Sequence, residues 1–340
     1  MATLSDVARL AGVSISAVSR VLSGAPDTRV SPQTRDRIRQ AAADLNYRPN
    51  FAGRALKFSR TNVIALVVPD LTNAFATELL LGVEDEARER DYMVLLGRTE
   101  DLRPGGDLIS RLIGEGRVDG MLIQASDLST AAEIQELLAE DNPIVFINSI
   151  QAGSRTRVVL QDEEGARLAT EHLIGLGHVR IGMIGGLPQS YTAERRVRGF
   201  EAAMVQAGLA APPAPVTRLG YYPEDGRLAL RELMARPVAP TGVVVANVNA
   251  AIAVLAEARV LGLRVPEDLS VVSVHDAWTA ENTWPPLTAV KMPMYQLGRA
   301  AVAGLYARLN GGTVREHVVS RPAPELILRE STRPPATTTT

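Results

Sequence analysis

Residues 3–22 read TLSDVARLAGVSISAVSRVL and predict two short helices joined by a tight turn. Apolar side chains recur at helical spacing in the first half of this stretch, and Thr3 or Ser5 can cap its start. Gly12 permits the positive φ that ends the first helix, and Ser14 is the expected N-cap of the second. Two short helices about a glycine turn form a helix-turn-helix.

The outward face of the second helix carries side chains suited to reading DNA. In a helix-turn-helix this helix lies in the major groove. There Arg20 can donate to a guanine edge, Ser16 can donate or accept, and Ile15 can touch a thymine methyl. Ser14 and Ser19 are suited to positioning phosphates. Taken alone, the two helices also fit an ordinary helical hairpin.

A third helix is predicted from about Gln33 to Leu45. Ser31 can cap it, and Pro32 suits its first position because proline lacks the amide hydrogen that a first turn leaves unpaired. Its apolar side chains would face the first two helices.

Charge divides the chain unevenly. Residues 1–60 contain ten Arg or Lys and four Asp, a net charge of +6, whereas the whole chain of 340 residues carries −2. A basic head on an acidic remainder indicates that the head meets DNA phosphates. A solvated basic face without a partner is the alternative.

Composition excludes several classes of site. The chain has no cysteine and four scattered histidines, so we expect no disulfide, no metal site and no cofactor. The N-terminus lacks a secretory pattern, and the apolar run at 63–68 is too short to span a membrane. We therefore expect a cytoplasmic protein.

The full residue string of the head resembles a known family. L-x-D-V-A-x-x-A-x-V-S-x-x-A-V-S-R-V-L at 4–22 resembles the headpiece of the lactose-repressor/galactose-repressor (LacI/GalR) family. V-S-x-x-T-R at 30–35 and N-Y-R-P-N at 46–50 are similar to it as well. The DNA contacts expected from the head and from the resemblance are Thr3, Ser14, Ile15, Ser16, Ser19, Arg20, Asn50, Arg54 and Leu56.

The resemblance implies a hinge helix at residues 50–60 that folds only on DNA. Leu56 matches the leucine that wedges into the minor groove and kinks the duplex. A segment of this length is too short to be a stable helix alone, and Gly53 costs about 1 kcal/mol of helix propensity relative to alanine. Packing of Leu56 on the body is the alternative.

From residue 61 onward, apolar strands alternate with amphipathic helices. This alternation predicts an α/β body with parallel sheets and helices on both faces. Expected strands lie at 61–70, 93–96, 120–123, 144–148, 158–160, 180–186, around 217, 242–247 and 269–276. The segments 158–186, 193–209, 285–293 and 326–335 are also similar to the LacI/GalR family.

The resemblance implies a domain plan. A helix-turn-helix headpiece at 1–49 and the hinge at 50–60 precede a bilobed, periplasmic-binding-protein-like body with two doubly wound parallel sheets at 61–330. Lobe one would comprise 61–160 plus 291–320, and lobe two 161–290 plus 321–330. Residues 331–340 are expected to be a disordered tail.

An effector is expected in the cleft between the lobes, because ligands of doubly wound sheets bind at the carboxyl ends of strands. The resemblance adds an arginine that opens a second-lobe helix and an aromatic loop that stacks on the ligand. The expected effector contacts are Asn73, Phe75, Gln124, Asn148, Arg196, Tyr221, Tyr222, Asn247, His275 and Trp278. Tyr222 as a loop cover, Trp278 as lobe packing and His275 as a surface histidine are the alternatives.

Three positions depart from the family's sugar-binding pattern. Asn148-Ser149 stands where Asp-Arg is frequent, Asn247-Val248 where Asn-Asp is typical, and His275-Asp276 where Asp-Asp is typical. The pocket is therefore expected to be less acidic and more aromatic. This favours an anionic or nucleoside-like ligand, or no small ligand, over a plain monosaccharide.

The sequence thus predicts a homodimeric transcriptional repressor that binds a palindromic DNA operator and responds to a sugar, a nucleoside or a related metabolite. A solute-binding receptor without a DNA-reading role is the first alternative, which the basic head disfavours. An enzyme is the second. No nucleophile elbow, Walker loop or dinucleotide-binding glycine motif occurs, so we expect no catalysis.

Overall fold

A computed structural model describes residues 2–22, 30–48, 60–71, 73–74, 76–99, 110–125, 142–149, 156–209, 215–312 and 316–336. The chain divides into two units, Met1–Asn62 and Val63–Thr340. No helix of the described residues is long and apolar enough to cross a membrane.

The N-terminal unit contains helices α1 (Leu4–Ala11), α2 (Ile15–Leu22) and α3 (Pro32–Asp44). A capping box starts α1, because Thr3 Oγ1 accepts from the Asp6 amide while the Asp6 carboxylate accepts from the Thr3 amide. Gly12 ends α1 with a left-handed φ of 64°. The predicted helix-turn-helix is confirmed.

The inner faces of the three helices share one small core. Val7, Val18 and Ile38 are fully buried and come from one helix each. Ser31 caps α3 by accepting from the Thr34 amide, and Pro32 occupies its first turn, as the sequence predicts. The core therefore fixes which face of α2 remains in solvent.

The first sheet of the body is entirely parallel in its described strands. Its order is β11-β5-β4-β3-β1-β2. The strands are β1 (Val63–Val68), β2 (Met93–Arg98), β3 (Gly120–Ile123), β4 (Ile144–Ile147), β5 (Arg157–Leu160) and β11 (His317–Val319). Helices α4 (Ala76–Glu89) and α10 (Met294–Leu309) pack against each other on this lobe, and a π-helical turn covers Ser110–Gly114.

The second sheet has the order β12-β10-β9-β8-β6-β7. Its strands are β6 (Ile181–Gly185), β7 (Val216–Arg218), β8 (Gly242–Val245), β9 (Ser270–Val274), β10 (Thr288–Lys291) and β12 (Glu325–Ile327). Its helices are α5 (Asp162–Gly175), α6 (Tyr191–Gln206), α7 (Pro223–Met234), α8 (Val248–Val260) and the short α9 (Trp278–Glu281). All pairings are parallel except that of β12 with β10. The predicted fold class is confirmed, with one antiparallel edge strand added.

The chain passes from one sheet to the other three times, after β5, β10 and β11. The first sheet takes its strands from β1–β5 and β11, and the second from β6–β10 and β12, while the lobe bounds at 160, 291 and 320 stay a prediction. Lys291 differs, because it pairs with Glu325 in the second sheet rather than opening the return to lobe one. β10 continues to Lys291 because the antiparallel strand β12 pairs with it there.

The predicted disordered tail, 331–340, is wrong for residues 331–333. Ser331 is fully buried; its Oγ donates to the Val271 carbonyl at 2.6 Å and accepts from the Thr288 amide at 2.8 Å. Thr332 and Arg333 bond to two buried or half-buried histidines of the same lobe. The proline- and threonine-rich composition suggested disorder, whereas short polar side chains satisfy backbone groups at the edge of β9 and β10.

Candidate DNA-binding and effector sites

The solvent face of α2 presents the side chains that the sequence assigned to DNA. Ser14, Ile15, Ser16 and Arg20 are exposed, Ile15 by 51% although it is apolar, and Ser19 is half-buried. The Arg20 Nε donates to the Ser16 carbonyl at 3.2 Å, which holds the arginine along its own helix. An exposed isoleucine beside an arginine and serines fits contact with base edges in a groove.

Two of the predicted DNA contacts also stabilise the helices. Ser14 Oγ accepts from the Ala17 amide at 3.2 Å, so it caps α2. Thr3 is exposed and forms the capping box of α1. The hydrogen bonds from Thr3 lower the pKa of Asp6, so the carboxylate stays charged at the positive end of the helix. Asn50, Arg54 and Leu56 lie outside the described residues, as does the effector candidate Phe75.

A cavity of about 440 Å³ opens between the two sheets of the body. Its lining includes eight of the predicted effector contacts, which are Asn73, Gln124, Asn148, Arg196, Tyr221, Tyr222, Asn247 and His275. They meet because the carboxyl ends of parallel strands from both sheets face this space: Gln124 follows β3, and Asn148 follows β4. Asn247 and His275 follow β8 and β9.

Trp278 does not line the cavity, so its prediction as an effector contact is corrected. It begins α9, and 65% of its surface is exposed. An ion pair between Asp276 and Arg329, at 2.8 Å, fixes the chain where it leaves β9. The indole therefore lies on the surface of the second lobe.

Arg196 is anchored in the cavity wall through three of its nitrogens. Its Nε and Nη2 donate to Asp162 Oδ1 at 2.8 and 2.6 Å, and its Nη1 donates to the Ala246 carbonyl at 2.6 Å. Its Nη2 also lies 3.0 Å from His275 Nε2. Arg196 is 3% exposed and Asp162 is fully buried. These bonds fix the guanidinium in one orientation.

His275 is an uncharged member of this cluster. A guanidinium only donates hydrogen bonds, so His275 Nε2 must accept from Arg196 and carries no proton. Burial, followed by the positive charge of Arg196, holds the pKa of His275 well below its ordinary value. Its φ of 72° is left-handed, which turns the chain sharply at the end of β9.

The two asparagines use their oxygens within the protein. Asn148 Oδ1 accepts from the Leu160 amide at 3.0 Å, and Asn247 Oδ1 accepts from the Ala250 amide at 3.0 Å as the cap of α8. The amide nitrogens are then the groups that each can offer to a ligand. Asn73 differs, because its buried Oδ1 has no hydrogen-bond partner in the described part of the chain.

The tyrosine loop covers one side of the cavity. Tyr221 places its Oη 3.1 Å from Thr192 Oγ1, and the guanidinium of Arg196 lies 5.5 Å from its ring centroid. The ring packs on Gly186, where a Cβ would lie 2.7 Å from Tyr221 Cε2. Tyr222 is half exposed and its amide donates to Asp225 Oδ2 at 2.9 Å, so this residue also starts α7.

Sequence reasoning missed part of the site. The loop after β6 contributes Gln189, Tyr191 and Thr192 to the lining. The rule that selected the other strand ends applies to β6 as well, so this loop was predictable. Asp162 was not, because it reaches Arg196 from the first turn of α5 and nothing in the sequence marks their pairing.

The described residues contain no cluster of three or more His, Asp or Glu that could hold a metal ion. The pocket offers hydrogen-bonding and aromatic groups instead. Such a lining binds and orients a small molecule.

Comparison with known proteins covers nearly the whole chain. The profile described as "Bacterial regulatory proteins, lacI family" matches residues 3–50, and that of a "Periplasmic binding protein-like domain" matches residues 170–332. The "HTH-type transcriptional repressor PurR" of Vibrio vulnificus is 32% identical over 339 residues, covering 98% of this chain and 99% of that protein.

Solved structures of regulators from the same family are also similar to this chain. The crystal structure of a LacI family transcriptional regulator from Mycobacterium smegmatis is 41% identical and has a TM-score of 0.75, covering 80% of this chain and 99% of that one. The Lac repressor dimer bound to operator and the anti-inducer ONPF is 25% identical, with a TM-score of 0.81, and covers 98% of this chain and 99% of that one.

These relatives are regulators rather than enzymes. A solute receptor without a DNA-reading role is not supported, because the headpiece itself matches the regulatory family. With a helix-turn-helix on one unit and a cavity between two parallel sheets on the other, the chain belongs to the lacI family of bacterial regulatory proteins and is a DNA-binding transcriptional regulator.

Proposed function

We propose that this regulator binds a two-fold symmetric operator as a homodimer and that a small molecule in the cavity between the lobes sets its affinity for DNA. One observation carries the proposal: polar groups at strand ends of both sheets converge on a single cavity. A ligand that bonds to both lobes favours one arrangement of the lobes over another. Such a shift between two arrangements is what allows a ligand to change the affinity of a regulator for DNA. Because its operator is chromosomal DNA, we assign the regulator to the bacterial cytoplasm.

On DNA, α2 lies in the major groove with Ile15, Ser16 and Arg20 against base edges. Thr3, Ser14 and Ser19 contact phosphates. The exposure of α2 supports the first set. The positions of Thr3 and Ser14 at helix starts support their phosphate contacts, since helix N-termini favour anions. Ser19, within α2, is assigned on the outward face of that helix alone. Asn50, Arg54 and Leu56 are assigned to the hinge and the minor groove on the family resemblance.

The homodimer is supported by an apolar strand at the edge of the first sheet. In β2, Met93, Leu95 and Leu96 are 68%, 44% and 43% exposed. Exposed apolar edges of this kind mark contact with another chain. A two-fold dimer presents two headpieces and therefore reads a palindromic site.

The effector contacts are assigned to eight residues of the described lining. They are Asn73, Gln124, Asn148, Arg196, Tyr221, Tyr222, Asn247 and His275. We assign repression rather than activation to this regulator, because the relatives named above are repressors.

Selection of bound duplexes from a random DNA pool tests the DNA half of the proposal. The intact protein is used at low salt, with and without a metabolite extract. We expect a two-fold symmetric site with a flexible pyrimidine–purine step at its centre. Binding without sequence preference in both conditions would contradict it.

The variant Arg196→Ala tests the effector half. We expect it to bind the selected operator as the wild type does but to lose the response to the extract, because the anchor of the cavity is gone. Arg198→Ala is the matched control, since Arg198 lies on the same helix with half of its side chain exposed. A normal response in Arg196→Ala would show that the effector binds elsewhere. Asn73→Ala repeats the test from the other lobe if Arg196→Ala misfolds.

A further inference from the structure

The charge of the cavity depends on a residue that does not line it. Arg196 is the one cationic side chain in the lining formed by the described residues. Asp162, which binds the guanidinium from behind, is absent from that lining and has no exposed surface. The effector would therefore meet Arg196 together with its counter-ion.

Four of the five N–H groups of Arg196 are directed at partners inside the protein. Two of its nitrogens bond to Asp162, a third bonds to the Ala246 carbonyl, and Nη2 also faces His275. An anionic ligand would have to break a buried, hydrogen-bonded ion pair, which leaves an uncompensated carboxylate in the interior. Such a pair has little net attraction for a second anion.

The other ionisable groups of the lining do not supply a positive charge that could attract an anionic ligand. Nε2 of His275 accepts a hydrogen bond, so the ring adds no positive charge. Asp70 and Asp225 are the lining carboxylates, and Asp225 already accepts from the Tyr222 amide. A phosphate or carboxylate in the cavity would thus meet negative charges and no available cation among the described residues.

The rest of the lining suits a neutral ligand with hydroxyl groups and an apolar ring face. Amide and hydroxyl groups come from both lobes, and the ring of Tyr221 is fixed between Gly186 and Thr192. Leu79, Met294 and Leu297 add apolar surface from the first lobe. Sugars and nucleosides share this chemistry.

We propose that Asp162 sets the charge selectivity of the effector site: by neutralising Arg196 it restricts the cavity to uncharged, polyhydroxylated ring compounds and excludes their phosphorylated or carboxylated forms. This inference rests on the proposed function in taking the cavity as the effector site. It replaces the sequence-based expectation of an anionic ligand and retains the expectation of a sugar or nucleoside. Asp162 acts through Arg196 and is therefore a positioning residue.

The substitution Asp162→Asn tests the inference without knowledge of the natural effector. Isothermal titration with inorganic phosphate is carried out on the full-length wild type, on Asp162→Asn and on Glu163→Gln. Glu163→Gln is the matched control, because it removes the same charge one residue along at a half-exposed position. We expect the wild type and the control to bind phosphate weakly or not at all. Asp162→Asn should gain affinity on the order of tenfold or more, since its buried guanidinium lacks a counter-ion.

Matched ligand pairs identify the source of the neutral ligand. Glucose against glucose 6-phosphate and cellobiose against its phosphate represent sugars, and adenosine against adenosine monophosphate represents nucleosides. In the wild type, any pair that binds should prefer its neutral member, and Asp162→Asn should lose or reverse that preference. A folded Asp162→Asn that discriminates against anions as the wild type does would overturn the inference.

If Asp162→Asn does not fold, titration of the wild type with inorganic phosphate tests the charge selectivity by itself. Failure of inorganic phosphate to bind at millimolar concentration supports the inference. Phosphate binding that Arg196→Gln removes would overturn it.

The outcomes also separate this inference from the proposed function. If a phosphorylated compound binds the cavity and alters operator affinity, effector control stands and the charge selectivity is wrong. If Asp162→Asn gains phosphate binding but no compound alters operator affinity, the charge selectivity stands and effector control by this cavity is wrong.

Discussion

At the scale of single residues, Gly186 determines where the tyrosine ring of the effector site can lie. The glycine follows β6, and its missing Cβ leaves the space that the Tyr221 ring fills. Tyr221 in turn reaches Thr192 and Arg196, so one absent methyl group orients an aromatic wall and the neighbouring cation.

We expect Gly186→Ala to weaken ligand binding in the cavity by on the order of tenfold, because the new methyl group displaces the ring. Operator binding without ligand should not change. Titration of a neutral ligand identified by the pair screen measures the effect. In the background of Tyr221→Ala the same substitution should cost little, since the ring is gone. An equal loss in both backgrounds would show that the glycine acts by another route.

The residue scale also shows how far sequence reasoning reaches into the site. Gln124, Asn148, Asn247 and His275 follow from one rule, that ligands meet the carboxyl ends of parallel strands. The rule says where a residue lies and not what its atoms bind. It therefore missed that the oxygens of Asn148 and Asn247 accept hydrogen bonds from backbone amides. The pairing of Asp162 with Arg196 depends on how two helices pack, which no local pattern encodes.

At the scale of elements, helix α10 packs on α4 at a distance that only glycine allows. A Cβ on Gly298 would overlap the Leu79 carbonyl oxygen and lie 2.8 Å from the Val83 nitrogen. On α4, Gly82 is equally close to the backbone of Tyr295. The two glycines let the helix backbones approach each other directly.

Gly298→Ala should therefore destabilise the body by roughly 2–3 kcal/mol, because backbone atoms must move apart. Gly175→Ala is the matched control: Gly175 ends α5, is exposed, and its added Cβ meets nothing within 4 Å. We expect that control to be neutral or stabilising by up to about 1 kcal/mol. Urea unfolding compares the two free energies. Equal effects would mean that the helices can separate without cost.

The C-terminal segment is attached to the second lobe through two histidines. His178 Nε2 faces the Arg333 carbonyl at 2.9 Å, so that nitrogen must donate, and Nδ1 lies 2.8 Å from Thr241 Oγ1. His172 Nε2 lies 2.9 Å from Thr332 Oγ1. Burial lowers the pKa of both histidines from the ordinary value of 6.5, and the nearby His178 contributes to the lowering at His172.

Stability should consequently fall as the pH drops below 6.5. The unfolded chain binds these protons more readily than the folded one, so unfolding takes up protons between the folded and the ordinary pKa. His275, whose pKa is also lowered, acts in the same direction. We expect the urea midpoint to decrease between pH 7.5 and 5.5, and His178→Gln to reduce the decrease. A midpoint that rises on acidification would contradict this account.

At the scale of the whole molecule, the alternation of strands and helices was sufficient to predict two parallel sheets. Each strand–helix–strand unit favours a parallel pair, and consecutive units build a doubly wound sheet. The antiparallel β12 and the buried residues 331–333 were not predictable in this way. Both lie in a short terminal segment whose position depends on a sheet edge formed by distant residues.

A cavity shared by two lobes has a thermodynamic consequence for the intact regulator. If the ligand favours one arrangement of the lobes and that arrangement binds operator differently, the two binding events share one coupling free energy. The factor by which saturating ligand changes operator affinity must equal the factor by which operator changes ligand affinity.

We expect a factor of about 5–150 in each direction, the usual range for such coupling. Anisotropy with labelled operator and calorimetry with ligand, with and without DNA, measure the two factors. Tyr221→Ala should weaken ligand binding in both states and preserve the equality, because the cycle is closed whatever its size. Unequal factors in the wild type would mean that a further equilibrium lies outside this cycle, for example a change of oligomer when the ligand binds.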